Sequence, residues 1–97
     1  MSLIHYEKDF NTIIQDKAVV DFYATWCGPC KMFGPIFEET ANENNINFIK
    51  LDVDKHSEIA REYGVMTIPT IILFKDGKEV KRHTGFMSKD QLIEFIK

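Results

Sequence analysis

Two cysteines, Cys27 and Cys30, stand two residues apart in the hexapeptide Trp26-Cys27-Gly28-Pro29-Cys30-Lys31, and the chain has no others. Thiols at this spacing can exchange between dithiol and disulfide, supply half of a zinc site, or sit as inert core residues. Zinc takes four nitrogen or sulfur ligands in a structural site. The histidines, His5, His56 and His83, fall on different predicted elements with no ligand spacing, so no metal site is expected. The apolar run 19–24 reads as a strand and the residues after the pair read as a helix. The pair is thereby placed at a strand-to-helix junction, with Cys27 at the helix N-terminus. Unpaired backbone N–H groups and aligned peptide dipoles favour an anion there. A thiol so placed loses its proton more readily, and the thiolate is the reactive form. With Cys30 one turn further on, its sulfur can reach that of Cys27. The stretch reads as a redox centre, with Cys27 the nucleophile and Cys30, expected to be the more enclosed, the resolving thiol.

Four residues near the pair belong to the same chemistry. Asp21 is the odd residue in Val19-Val20-Asp21-Phe22-Tyr23-Ala24. With apolar residues on both sides, its carboxylate is poorly hydrated and its pKa is expected to rise. A carboxyl group held near neutrality suits proton transfer to or from Cys30. Trp26, beside a reactive thiol on an exposed loop, reads as part of a docking surface. Gly28-Pro29 makes the tight turn between the cysteines. Pro29 is tolerated because the first N–H groups of a helix have no partner, and it limits the flexibility of the dithiol, which should influence the redox potential.

The elements that must position these residues follow from periodicity. Residues 3–6 form a short strand candidate, and 9–15 a short helix with Phe10, Ile13 and Ile14 on one face. The run 19–24 is apolar almost throughout, as expected of a strand covered on both faces. The helix opened by the cysteines carries Phe33, Phe37, Thr40 and Ala41 on one face and runs to about residue 44, with Pro35 inside it as a bend. A strand over 47–53 is followed by a helix over 57–63 that stops at Gly64. The strand 70–74 is joined through Lys75-Asp76-Gly77-Lys78, a type I′ hairpin signal, to a charged edge strand over 79–84. Gly85 breaks the pattern, and Ser88-Lys89-Asp90-Gln91 is a capping box that opens a last helix with Leu92, Phe95 and Ile96 inward. Phe10, Phe33, Phe37, Phe74 and Phe95 are assigned to packing. Strands alternating with helices imply parallel crossovers, and the hairpin adds an antiparallel pair. The predicted fold class is α/β, a five-stranded mixed sheet with helices on both faces.

Composition bounds the function. The 97 residues are read as one domain, and a chain of this size buries only about 60–65% of its unfolded surface. Net charge is −3, from 12 basic and 15 acidic residues, which argues against non-specific nucleic-acid binding. The start, Met1-Ser2-Leu3-Ile4-His5-Tyr6, has no positive segment followed by a long apolar one, so no signal peptide is read. No apolar run approaches membrane-spanning length, and no membrane partner is expected. In a reducing cytosol a close cysteine pair belongs to redox chemistry more often than to structural stapling. A cytoplasmic location is expected. The chain has no Gly-x-Gly-x-x-Gly or other nucleotide motif.

The chain resembles the thioredoxin family. Trp26-Cys27-Gly28-Pro29-Cys30-Lys31 matches the family's active-site motif without a change. Asp21 six residues before Cys27, Ile68-Pro69-Thr70 before the long strand, and Gly85 after the edge strand fall in the family's order. The resemblance implies strand order 1-3-2-4-5, with the first and third helices on one face of the sheet and the second and fourth on the other. It implies a cis peptide bond before Pro69, which would pack beside the cysteines and tune them. Asp21 would relay protons, assisted by Lys50. Met66, Thr67, Ile68, Gly85 and Phe86 would form a shallow apolar groove in which substrate backbone could pair beside Pro69, and methionine suits a surface that accepts many partners. The implied activity is general protein-disulfide reduction, in a monomer acting in cell redox homeostasis. Electrons would come from a thioredoxin reductase, with NADPH and flavin on that partner and no cofactor bound here. A thiol oxidase or isomerase on the same fold, and a non-catalytic binding module using the same groove, are the alternatives. The missing signal peptide and the Gly28-Pro29 dipeptide argue against the first of these. Tyr23 departs from the second Trp of many relatives, and Met66-Thr67 lies where relatives vary.

Overall fold

The computed structural model describes residues 3–97; Met1 and Ser2, part of the stretch read above for a signal peptide, lie outside it. In chain order the elements are β1 (Leu3–His5), α1 (Phe10–Ile13), β2 (Ala18–Tyr23), α2 (Gly28–Asn42), β3 (Asn47–Asp52), α3 (Ser57–Glu62), β4 (Thr70–Lys75), β5 (Lys78–Thr84) and α4 (Lys89–Phe95). Their strands form one sheet in the order β1-β3-β2-β4-β5. β2 lies at its centre, parallel to β3 with Asp21 beside Lys50, and antiparallel to β4 with Asp21 beside Ile71. β1 extends the sheet beyond β3, and β5 closes the other edge against β4.

Alternation along each strand sends successive side chains to opposite faces, and each face has its own core. Ala18, Val20 and Phe22 of β2 pack with Ile49, Leu51, Ile72 and Phe74 under α1 and α3, through Phe10, Ile14 and Ala60. Val19, Phe48, Ile71 and Leu73 pack under α2 and α4, through Phe33, Phe37, Ala41, Leu92 and Ile96. The division of helices is the one the family resemblance implied.

Local chemistry fixes the ends of these elements. The hairpin turn has Asp76 at φ 56° and Gly77 at φ 79°, both positive as a type I′ turn demands. The Ser88 hydroxyl accepts from the Gln91 N–H, and the Gln91 side chain accepts from the Ser88 N–H, so the predicted capping box closes in both directions. Gly64, at φ 64°, takes the left-handed position after α3. α1 is shorter than the predicted 9–15. Asp9 is left-handed at φ 64°, and the carbonyls of Ile14 and Gln15 accept the N–H groups of Gly77 and Asp76 from the hairpin tip. Those carbonyls are turned toward a long-range contact, which periodicity cannot anticipate. On β5 the register slips between Leu73 and Phe74, which passes over Val80 as a bulge on the exposed edge.

Candidate active site

The cysteines sit where the C-terminal end of central β2 turns into α2. Cys27 is the N-cap residue of α2, in extended conformation at φ −87°, and its sulfur accepts the Cys30 N–H at 3.3 Å. Pro29 occupies the first turn of α2, where no backbone donor is lost. Cys27 and Cys30 are joined as a disulfide, with Cα atoms 5.2 Å apart. The two are equally enclosed, at 5% exposure each, which corrects the expectation that Cys30 would be the more buried. Cys27 gains its cover from the chain before Pro69: its Sγ lies 3.7 Å from the Ile68 carbonyl oxygen, and Ile68 packs on the pair together with Ala24 and Tyr23. The Ile68–Pro69 bond is cis, and the Pro69 carbonyl accepts the Gly85 N–H at 2.7 Å. That bond ties the second loop of the expected groove to the first.

Asp21 is wholly buried, and neither carboxylate oxygen has a hydrogen-bond partner. Loss of hydration pushes its pKa up to about 7 from 3.8, with the positive charge of Lys50 pulling the other way. Alternation puts Asp21 on the face that α2 covers, with Val19 two residues before it and Tyr23 two residues after. Lys50, beside it on β3, does not point freely into water. Its side chain is 13% exposed, with Nζ 3.9 Å from Glu38 Oε2 and 4.6 Å from the centre of the Tyr23 ring. Lys50, Glu38 and Tyr23 line a cleft of about 290 Å³ that reaches Cys30 and Gly34 of α2.

Of the residues expected to receive substrate, three are both apolar and exposed. Trp26 is 68% exposed, Met66 93%, and Phe86 is also exposed, with its ring edge-on to Phe33 of α2. Thr67 and Gly28 are exposed and Gly85 is half-buried. Sequence reasoning missed Asp54, whose carboxylate accepts the Trp26 indole N–H at 2.9 Å and whose own N–H donates to Asp52 at 2.9 Å. It also missed Glu38 and the exposed Met32 of α2. No spacing signal links Asp54 to Trp26, because their meeting depends on β3 lying beside β2. Among the described residues, no three His, Cys, Asp or Glu side chains gather as a metal site, and no helix is long and apolar enough to cross a membrane.

Comparison with known proteins agrees with this geometry. The thioredoxin family model matches residues 2–97. The thioredoxin of Mycoplasmoides gallisepticum is 52% identical over 82 residues, covering 84% of this chain and 82% of that protein. The thioredoxin of Chlamydia trachomatis is 42% identical over 97 residues, covering 99% and 95% of the two chains. Among solved structures, the thioredoxin of Malassezia sympodialis superposes with a TM-score of 0.89 at 35% identity, over 98% of this chain and 88% of that one. With its redox group formed by its own cysteine pair, this protein-disulfide reductase belongs to the thioredoxin family.

Proposed function

We propose that Cys27 is the attacking thiolate and Cys30 the resolving thiol of a reaction on exposed protein disulfides. Cys27 Sγ attacks one sulfur of the substrate disulfide, which breaks that bond, expels one substrate thiolate and leaves a mixed disulfide. The Cys30 thiol then gives its proton to the Asp21 carboxylate and attacks Cys27 Sγ. The second substrate sulfur leaves as a thiolate, and the Cys27–Cys30 disulfide remains. Lys50 holds the charge on Asp21 in check. Gly28, Pro29 and Pro69 shape the pair and its potential, while Trp26, Met66, Thr67, Ile68, Gly85 and Phe86 receive the substrate chain. The observation that carries the assignment is the cap itself, since Cys27 Sγ receives the Cys30 N–H at the positive end of α2. A sulfur in that place is the better thiolate.

Family membership implies disulfide substrates and a reductase that returns two electrons to the pair. On our reading this is a thioredoxin reductase that carries NADPH and flavin itself, and residues 1–97 act as a single monomeric domain in the cytoplasm. Trapping separates the two sulfur roles. Cys30→Ser should accumulate a mixed disulfide with a model substrate through Cys27, and Cys27→Ser should accumulate none. Trapping by Cys27→Ser instead would reverse the assignment.

A further inference from the structure

Lys50 has more neighbours than the proton-relay reading uses. It lies beside Asp21 in the sheet, yet its ammonium rests over the Tyr23 ring and reaches toward Glu38, which stands half-exposed on α2. A Cβ on Gly34 would come within 3.5 Å of Nζ, so the ammonium lies close against the α2 backbone. The space it occupies belongs to the cleft that also touches Cys30. A cation over an aromatic face is held by the ring quadrupole, more strongly where water is partly excluded. Lys50 is therefore shared by a buried carboxyl, an exposed carboxylate and an aromatic ring.

We propose that Tyr23 and Glu38 are positioning residues for Lys50, and that the cleft they frame is the route by which the proton taken from Cys30 leaves for water. This rests on the proton-relay reading of Asp21. After the resolving attack Asp21 is a neutral acid, and it must return its proton before the next turn. Asp21 has no surface of its own and does not line the cleft, but Tyr23, two residues on, and Lys50, its partner on β3, both do, together with the exposed Glu38. Tyr23 keeps the ammonium near Asp21 and stabilises the carboxylate. Glu38 draws the same ammonium outward. Their removal should act in opposite directions.

The groups that face this site come from each surrounding element. β2 supplies Asp21 and Tyr23, β3 supplies Lys50, and α2 supplies Glu38, Lys31 and, in the dithiol form, Cys30. Burial raises the Tyr23 pKa, and the charges of Asp52 on β3 and of Asp21 add to it. On the other side β4 offers only Ile71 opposite Asp21. Among these charges Lys50 is the one that bears on the Asp21 titration, against the larger effect of burial.

The test is single-turnover reduction of a small aromatic disulfide from pH 5 to 9, with the second released thiolate reporting the resolving step. In the unaltered protein that rate should rise with a midpoint set by Asp21. Tyr23→Leu should move the midpoint up by about 0.5, a loss of about threefold at pH 6.5, and Tyr23→Phe, which keeps the ring, should restore it. Glu38→Gln, a surface change that cannot be confused with misfolding, should move the midpoint down by a similar amount. Asp21→Asn should remove the pH dependence. An Asp21→Asn profile like that of the unaltered protein would overturn the relay reading itself. If Asp21→Asn flattens the profile while Tyr23→Leu and Glu38→Gln leave it in place, or move it the same way, the relay stands and the positioning roles fall.

Discussion

The two faces of the sheet are built to different rules. Under α1 and α3, every residue that β2 contributes is apolar: Ala18, Val20 and Phe22, closed by Phe10, Phe74 and Tyr63 in edge-on and tilted ring contacts 5.2–5.5 Å apart. Under α2 and α4, β2 contributes Val19, then Asp21, then Tyr23, and β3 contributes Phe48 and then Lys50. The second face is apolar where Phe33, Phe37 and Ala41 of α2 and Leu92 of α4 cover it, and turns polar where Asp21 and Lys50 lie near Glu38 and Cys30. One face carries stability. The other gives up part of its apolar contact to place an acid, a lysine and a cleft beside a disulfide.

That division predicts where substitutions should act. Phe74→Ala, on the first face, should cost about 3–5 kcal/mol through the lost ring contacts and the cavity left behind, read as a shift of the denaturation midpoint. The rate of disulfide reduction per folded molecule should stay as it was. A slowed reaction would show that the faces are not separate.

Asp21→Asn acts on the second face, and its effect depends on pH. The folded state raises the Asp21 pKa from 3.8 to about 7, so between those values the folded protein holds a proton that the unfolded chain has released. Stability from this group is full below pH 4 and fades as pH rises through about 7, by about 4 kcal/mol in all. Unfolding of the unaltered protein at pH 4, 6 and 8 should show this decline, and the Asn variant should lack it. Matching slopes would mean that Asp21 is not the buried acid of this face.

A smaller effect is expected at the hairpin tip. Gly77 is at φ 79°, and a Cβ there would come within 2.8 Å of the Gln15 side-chain nitrogen. Gly77→Ala should therefore destabilise by about 1–2 kcal/mol and leave the redox reaction alone, since the tip docks against α1 and far from Cys27 in the chain. An unchanged melting temperature would show that the turn accommodates a side chain freely.

The sequence was most legible where local chemistry decides the structure. The Asp76-Gly77 turn, the Ser88–Gln91 capping box, Gly64 after α3 and the apolar run through β2 each announce themselves in a few residues. The lone Asp21 was readable for the same reason, because its neighbours already said that it would be dry. What stayed hidden was created by contacts between distant segments. α1 stops at Ile13, and the Ile14 and Gln15 carbonyls beyond it are taken by the hairpin tip. Cys27 is as enclosed as Cys30 because the Ile68 backbone folds over it. Trp26 is tethered by Asp54, and Lys50 is shared with Tyr23 and Glu38, only once β2, β3 and α2 are side by side. Strand order and the cis bond before Pro69 came from family resemblance, and no periodicity in the chain would have supplied them.

The measurement that bears most directly on the reductase account is the equilibrium reduction potential of the Cys27–Cys30 pair against a glutathione or dithiothreitol couple. Thioredoxins as a class are established at about −270 mV, protein disulfide isomerase at about −180 mV and a strong periplasmic oxidant at about −120 mV. A value near the first means a stable disulfide and a reducing dithiol, as the account predicts. A value near either of the others would mean that the pair works as an oxidant, and the direction of electron flow described for this chain would be wrong.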